Sequence, residues 1–209
     1  ERARKAPLTE LMARAARFYR EQLKASPKAI DYFKWRGVSG EIAARFGLGY
    51  APDAWQGLEQ VFPDYSDADL VECGLIIVND QGRRYDRFRD RVMFPILDQR
   101  GNVIGFGGRV LGAGEPKYLN SPETPLFEKG RELYGLTQAR KAIQEQDMVL
   151  VVEGYMDVVM SAQNGVSNIV ATLGTATTAT HVQKLMSAVL VALSSASMAM
   201  TLAGMFQSG

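Results

Sequence analysis

Leu8, Leu11, Met12, Ala15, Ala16, Tyr19 and Leu23 recur at intervals of three and four with charges between them, the spacing of a helix that buries one face. Ser26-Pro27 opens a second helix, with serine as cap and proline at its first position, running to about Trp35 and stopping at Gly37. Ser39 caps a third over 40–46, ahead of a turn at 47–52, and 55–62 and 67–73 read as two more, the last ended by Gly74. The texture then changes. Residues 75–79, 91–97 and 103–106 are short β-branched or aromatic runs, joined by the hairpin-type connections Asp80-Gln81-Gly82 and Asp98-Gln99-Arg100-Gly101. Residues 112–125 are loop-like. Near Asp147 a third pattern begins: 148–152 is a continuous apolar run, as in a parallel strand buried on both faces. A helix over 155–164, a second strand over 167–172 and a helix capped by Thr177 or Thr178 toward Lys184 follow. The predicted fold class is mixed α/β: an α+β subdomain with a small antiparallel sheet over 1–146, then an incomplete βαβ subdomain with parallel strands over 147–209.

Composition adds little to that picture, and charge distribution adds more. The 209 residues are 46% hydrophobic and 22% charged with a net charge of +1, an ordinary balance that names no polyanion partner. Arginines gather between Arg83 and Arg131, however, with Lys117 and Lys129 among them, and a local basic surface steers nucleic acid whatever the total. Cys73 stands alone, so no internal disulfide forms, and with His181 it supplies too few ligands for a zinc site. Both points suit a reducing cytoplasm. The first residues, Glu1-Arg2-Ala3-Arg4-Lys5, carry neither an initiator methionine nor an apolar signal region, and read as a piece of a longer protein.

Three segments could carry chemistry. In Glu153-Gly154-Tyr155-Met156-Asp157 a carboxylate directly follows an apolar strand, where open parallel sheets place their ligands, and Asp157 could reach the same divalent cation from the first helical turn. The alternative is plain complementation of the helix dipole. In Arg87-Phe88-Arg89-Asp90-Arg91, period two on a strand would set Arg87, Arg89 and Arg91 on one face, fit for several phosphates or simply solvated. In 116–124, followed by Phe127-Glu128-Lys129-Gly130, Lys117 and Lys129 with Tyr118, Asn120 and Ser121 suit phosphate contact and base stacking. The glycines of 105–108 lack dinucleotide-binding spacing, no phosphate-binding loop of the G-x-x-x-x-G-K type occurs, and His181 reads as a surface helix residue.

Together, residues 85–96, Gly105-Phe106-Gly107-Gly108-Arg109, 116–124, 151–158 and Leu173-Gly174-Thr175-Ala176-Thr177-Thr178 resemble, collinearly from about 8 to 184, the catalytic core of bacterial DnaG-type DNA primases. The resemblance implies that 147–209 is an incomplete toprim subdomain and that the basic part guides single-stranded template. It implies Mg²⁺ or Mn²⁺ near Glu153, which would act beside the metal or as acid/base, with Asp157 in the same cleft. Lys117, Tyr118 and Lys129 match basic residues near the active site; Arg36 and Arg109 match residues for template or nucleotide. The activity implied is synthesis of short RNA primers from ribonucleoside triphosphates. A separate N-terminal zinc domain, and partners such as the replicative helicase and single-strand binding protein, would belong to regions outside this chain, and no membrane is implied. Other readings kept open are a non-catalytic single-strand-binding module and another toprim enzyme.

The pattern departs from that family after Lys184, where no charged residue follows. A third strand and an Asp-x-Asp metal motif are expected there; the chain has alanine, serine, leucine, valine and methionine instead, an apolar stretch long enough to cross a bilayer but without flanking basic residues. Met198 and Met200 can only be ATG, and a shifted frame across 197–204 can read Phe-Asp-Gly-Asp-Asp-Ala-Gly-Arg. The expectation is a truncation or frameshift near 185–187, and with the partner aspartates missing, no primer synthesis by this polypeptide.

Overall fold

The structure, a computed structural model, describes residues 2–188. The expectations for 189–209, an apolar third strand, a bilayer-crossing stretch and a shifted frame, lie outside the described residues.

Three helices come first. α1, Arg2–Ala25, starts upstream of the apolar repeat and contains Pro7; α2 is Pro27–Trp35 and α3 Gly40–Arg45. Both serine caps form as the sequence predicts: Ser26 Oγ accepts from Ala29 N at 3.3 Å and Ser39 Oγ from Ile42 N at 3.2 Å. The stretch 47–52, read as a turn, contains strand β1, Gly49–Ala51. The helix expected over 55–62 shrinks to a 3-10 turn, Gly57–Gln60, and α4 is Ala68–Glu72. Then come β2 (Ile76–Val78), β3 (Arg84–Asp86), β4 (Arg91–Leu97), β5 (Val103–Val110) and β6 (Tyr118–Asn120). Helix α5, Leu136–Gln146, was not legible in the sequence; β7 (Leu150–Val152), α6 (Tyr155–Gln163) and β8 (Ile169–Ala171) were. Residues 179–188 are helical.

The main sheet is antiparallel in the order β1-β4-β5-β6, β2 and β3 make a separate hairpin, and β7 and β8 pair in parallel. Period two along β4 explains the layers. Val92, Phe94 and Ile96 face α2, α3 and α6, whereas Met93 faces α1 with Phe18, Tyr19 and Phe106. Two glycines set the spacing of these layers. A Cβ on Gly49 would lie 2.7 Å from Tyr19 Cβ of α1, and one on Gly107 would lie 2.3 Å from Tyr155 Cζ of α6.

Tyr155 is the joint between the two parts of the chain. Its ring stacks on Phe94 (centroids 5.4 Å, 15°) and meets Tyr134 edge-on at 4.9 Å. Tyr134 also exchanges both backbone hydrogen bonds with Ala171 of β8, at 2.9 and 3.0 Å. A smaller cluster of Leu133, Leu136, Ala139, Ile143, Val170 and Leu185 packs α5 and the 179–188 helix on the other side of β8.

One sequence expectation is corrected here. β7 is not buried on both faces: Leu150 is 39% and Val151 42% exposed, because β8 is its sole ladder partner among the described residues.

Candidate nucleic-acid interface

The carboxyl ends of β7 and β8 bring together Glu153, Asp157 and, from β6, Asn120. Glu153 leaves β7 as an exposed carboxylate, and Asp157, also exposed, stands in the first turn of α6. The Asp157 carboxylate lies so close over Gly154 that a Cβ there would come within 2.6 Å of it. That position favours the helix dipole as well as a cation.

Facing these ends is β6. Asn120 is the junction: its backbone oxygen accepts from Arg87 Nε (3.1 Å) and Nη2 (2.8 Å), its side-chain nitrogen donates to Leu173 O at 3.1 Å, and its side-chain oxygen accepts from the Tyr155 hydroxyl. Asn120 thus links Arg87 to Tyr155 and to the segment after β8, and its polar atoms are taken up by this joint.

Lys129 is fixed from the other side. The loop after β8 clasps its backbone: Thr178 Oγ1 donates to Gly130 O at 2.7 Å, and His181 Nε2 lies 3.2 Å from Lys129 O. His181 is not the surface residue expected; it is fully buried, and its Nδ1 accepts from Thr178 N at 3.2 Å, which assigns the proton to Nε2. Replacing His181 with alanine leaves the half-buried Thr178 amide and Lys129 carbonyl without this partner. The expected result is a loss of about 1–3 kcal/mol and at least tenfold faster amide exchange at Thr178. Unchanged exchange there would show that the clasp does not hold the loop.

The arginine triplet does not form one strand face. β3 ends at Asp86, β4 starts at Arg91, and Asp90 between them has φ 49°, so the alternation is broken by a turn. Arg91 is buried, and its guanidinium donates to Gly108 O at 3.3 Å and Lys117 O at 3.4 Å. It braces the strands beneath Lys117. Burial lowers the proton affinity of both Arg87 and Arg91, and Arg89 and Arg87 push Arg91 further down, so the three charges still share one neighbourhood.

Arg89 is set differently. Its guanidinium lies 4.1 Å from the Trp55 ring centroid and 5.0 Å from that of Tyr85, rings that meet edge-on at 5.5 Å. Sequence reasoning missed this pair; an aromatic four residues before an arginine was the available signal. Asp86 organises it: Asp86 N donates to Trp55 O at 2.7 Å and Arg89 Nη1 to Asp86 O at 2.9 Å. The Asp86 carboxylate is buried, accepts from Tyr65 OH at 2.7 Å and Leu58 N at 3.0 Å, and burial pushes it up to about 6. A carboxyl raised in the folded state contributes stability in full below its unfolded value near 4 and loses it as pH rises through about 6. Asp86→Asn keeps the same shape, with the amide able to donate to Tyr65. Urea midpoints are expected to shift in the variant's favour between pH 4 and 7; an offset constant across that range would contradict it.

Tyr118 and Arg109 face each other across β6 and β5, Arg109 lies 5.0 Å from the Tyr32 ring centroid, and Lys117 and Tyr118 are exposed. Arg36, at the end of α2, completes a second basic and aromatic group.

Among the described residues no group of three or more histidine, cysteine, aspartate or glutamate side chains could hold a metal ion. Glu153 and Asp157 are two exposed carboxylates without a third, which does not make a complete site for a hard cation. No described helix is long and apolar enough to cross a membrane.

Residues 18–140 match the family model for the DNA primase catalytic core, N-terminal domain, and 147–197 match the toprim domain. The DNA primase of Neisseria meningitidis serogroup A is 60% identical over 171 residues, covering 82% of this chain and 29% of its own length. A solved DnaG primase catalytic domain bound to ssDNA superposes with a TM-score of 0.83 at 49% identity, over 90% of this chain and 62% of that one. A DNA primase domain from Pseudomonas aeruginosa gives 0.80 at 53% identity, over 86% and 58%. The chain therefore spans under a third of the length of the curated relative.

Proposed function

Because the chain belongs to the DnaG-type DNA primase family, as a fragment of its catalytic core, we propose that it holds single-stranded DNA template across the carboxyl ends of β7 and β8. What supports this reading is the link from Arg87 through Asn120 to Tyr155, two residues after Glu153, together with the Thr178 and His181 contacts that tie the Lys129–Gly130 backbone to the segment after β8. Division at 146/147 follows: the first part grips the strand and the second presents carboxylates.

Arg89 on Trp55 and Tyr85 offers a cation beside stacking faces, suited to one phosphate and its base. Arg36, Arg109, Lys117 and Tyr118 continue the path, and Lys129 meets a phosphate near Glu153. In the whole protein the reaction would be primer synthesis from ribonucleoside triphosphates in the cytoplasm, beside replicative helicase and single-strand binding protein, with Mg²⁺ or Mn²⁺ supplying the nucleotidyl-transfer chemistry. Glu153 and Asp157 would face that metal. The second reading, a single-strand-binding module without catalysis, is supported by the absence, among the described residues, of a third carboxylate grouped with Glu153 and Asp157.

The test is a fluorescence-anisotropy titration of labelled single-stranded and duplex DNA at several salt concentrations. Micromolar binding to the single strand at low salt is expected, with log K falling against log salt at a slope of about −2 to −3. Arg89→Ala should weaken binding and flatten the slope by about 0.7. Equal affinity for duplex, or a slope near zero, would overturn the reading.

A further inference from the structure

The most exposed large apolar side chain among the described residues is Trp35, at 76%. α2 buries Ala29 and Phe33, while Tyr32, Trp35 and Arg36, spaced at three and four, share a neighbouring face of the helix. Tyr32 and Trp35 have ring centroids 6.3 Å apart at 46°, and the Arg36 guanidinium lies 5.8 Å from the Trp35 centroid. From β5, Arg109 stands 5.0 Å over Tyr32, and its cross-strand partner Tyr118 is 43% exposed.

Two features set this group apart from ordinary surface. Neither Arg36 nor Arg109 is in an ion pair among the described residues, although Lys28, nearer the start of α2, is bound to Asp90 at 2.7 Å. Among the described residues the Tyr32 hydroxyl is buried without a hydrogen-bond partner. An exposed indole beside two guanidinium groups that are outside any ion pair among the described residues, Arg109 also donating to Val110 O at 3.1 Å, describes a site for a planar, polar ring that carries an anion.

We propose that Trp35 and Tyr32 form a base-stacking step that takes one nucleotide of the template strand, its base on the indole and its phosphate between Arg36 and Arg109. This rests on the single-strand reading above, and it adds two residues, Tyr32 and Trp35, to the path. The shared chemistry, a nucleobase bearing phosphate, could also come from a free ribonucleoside triphosphate.

The chain's two tryptophans make the test selective. Trp55→Phe leaves Trp35 as the sole indole and keeps an aromatic face at 55; Trp35→Phe leaves Trp55. Each variant is titrated with oligo(dT) and, separately, with ATP, with excitation at the indole edge. Saturable quenching of Trp35 by oligo(dT) is expected, together with roughly 5- to 100-fold weaker strand binding by Trp35→Ala, whose exposed position leaves folding intact. Quenching of Trp55 with Trp35 silent overturns this proposal and leaves the single-strand reading standing. Response of Trp35 to ATP but not to oligo(dT) overturns the template assignment. Silence of both indoles toward oligo(dT) defeats the single-strand reading itself.

Discussion

Tyr155→Ala is expected to destabilise the folded chain by about 3–5 kcal/mol, the range for removing a buried aromatic side chain. Its ring fills the space left by Gly107, stacks on Phe94 and abuts Tyr134, so no neighbouring side chain can collapse into the void without breaking the antiparallel sheet or the Tyr134–Ala171 bridge. The hydroxyl fixes the Asn120 side chain, whose amide nitrogen donates to Leu173 O. Tyr155→Phe should therefore cost only about 1 kcal/mol. Single-strand binding through Arg87 should change little, because Arg87 donates to the Asn120 backbone oxygen, which the pairing of β6 with β5 holds in place. Urea denaturation of both variants checks this; a Tyr155→Ala cost under about 1 kcal/mol would mean that the two parts are not joined through this ring.

Primer synthesis by this polypeptide is expected to be undetectable on single-stranded DNA with ribonucleoside triphosphates and Mg²⁺ or Mn²⁺. Two carboxylates at the end of one strand leave a hard cation mostly water-bound, so Mn²⁺ binding should lie in the millimolar range or be absent. A chain encoded by the shifted reading frame across 197–204, with its aspartates, should bind Mn²⁺ at least tenfold tighter by electron paramagnetic resonance. Equal binding by the two chains, or clear primer formation by the present one, would contradict the assignment of these residues. Glu153→Gln offers a reverse control: without metal, removing a negative charge from a basic surface should strengthen single-strand binding a few-fold.

The sequence made the helix starts legible where a local hydrogen bond decides them, at Ser26 and Ser39. It also showed β4, β5, β7, α6 and β8, whose apolar runs are continuous. It hid elements whose identity depends on distant partners. β1 and β6 are three-residue edges of the main sheet, strands only because β4 and β5 lie beside them. α5 carries a sparse stripe, Leu136, Ala139 and Ile143, between left-handed residues at Gly135 and Asp147 rather than between recognisable caps.

The site divided in the same way. Glu153 directly follows β7 and Asp157 stands in the first turn of α6, while Lys117 lies just before β6 and Lys129 in the loop after it. The arginine alternation misled, because the positive φ of Asp90 breaks period two and turns Arg91 inward to brace backbone carbonyls. His181 misled as well: its burial is created by the Lys129 loop, far away in sequence. Only the fold brings Trp55 beside Arg89 and Tyr32 beside Arg109, whereas Tyr85 and Trp35 are near their arginines, Arg89 and Arg36, along the chain.

Proximity of the β7 carboxylate end to bound DNA can be measured by site-directed cross-linking. Cys73 is buried and its thiol is pushed up to about 12, so an introduced exposed cysteine can be labelled selectively with a photoreactive benzophenone. Asp157→Cys places the label in the first turn of α6, and Asn164→Cys places it just past the far end, about 10 Å away along the helix. If strand and carboxylates meet, cross-links to a bound single-stranded oligonucleotide form at least tenfold more efficiently from position 157 than from 164. Equal yields, or a higher yield from 164, would show that the polyanion lies elsewhere and contradict the site.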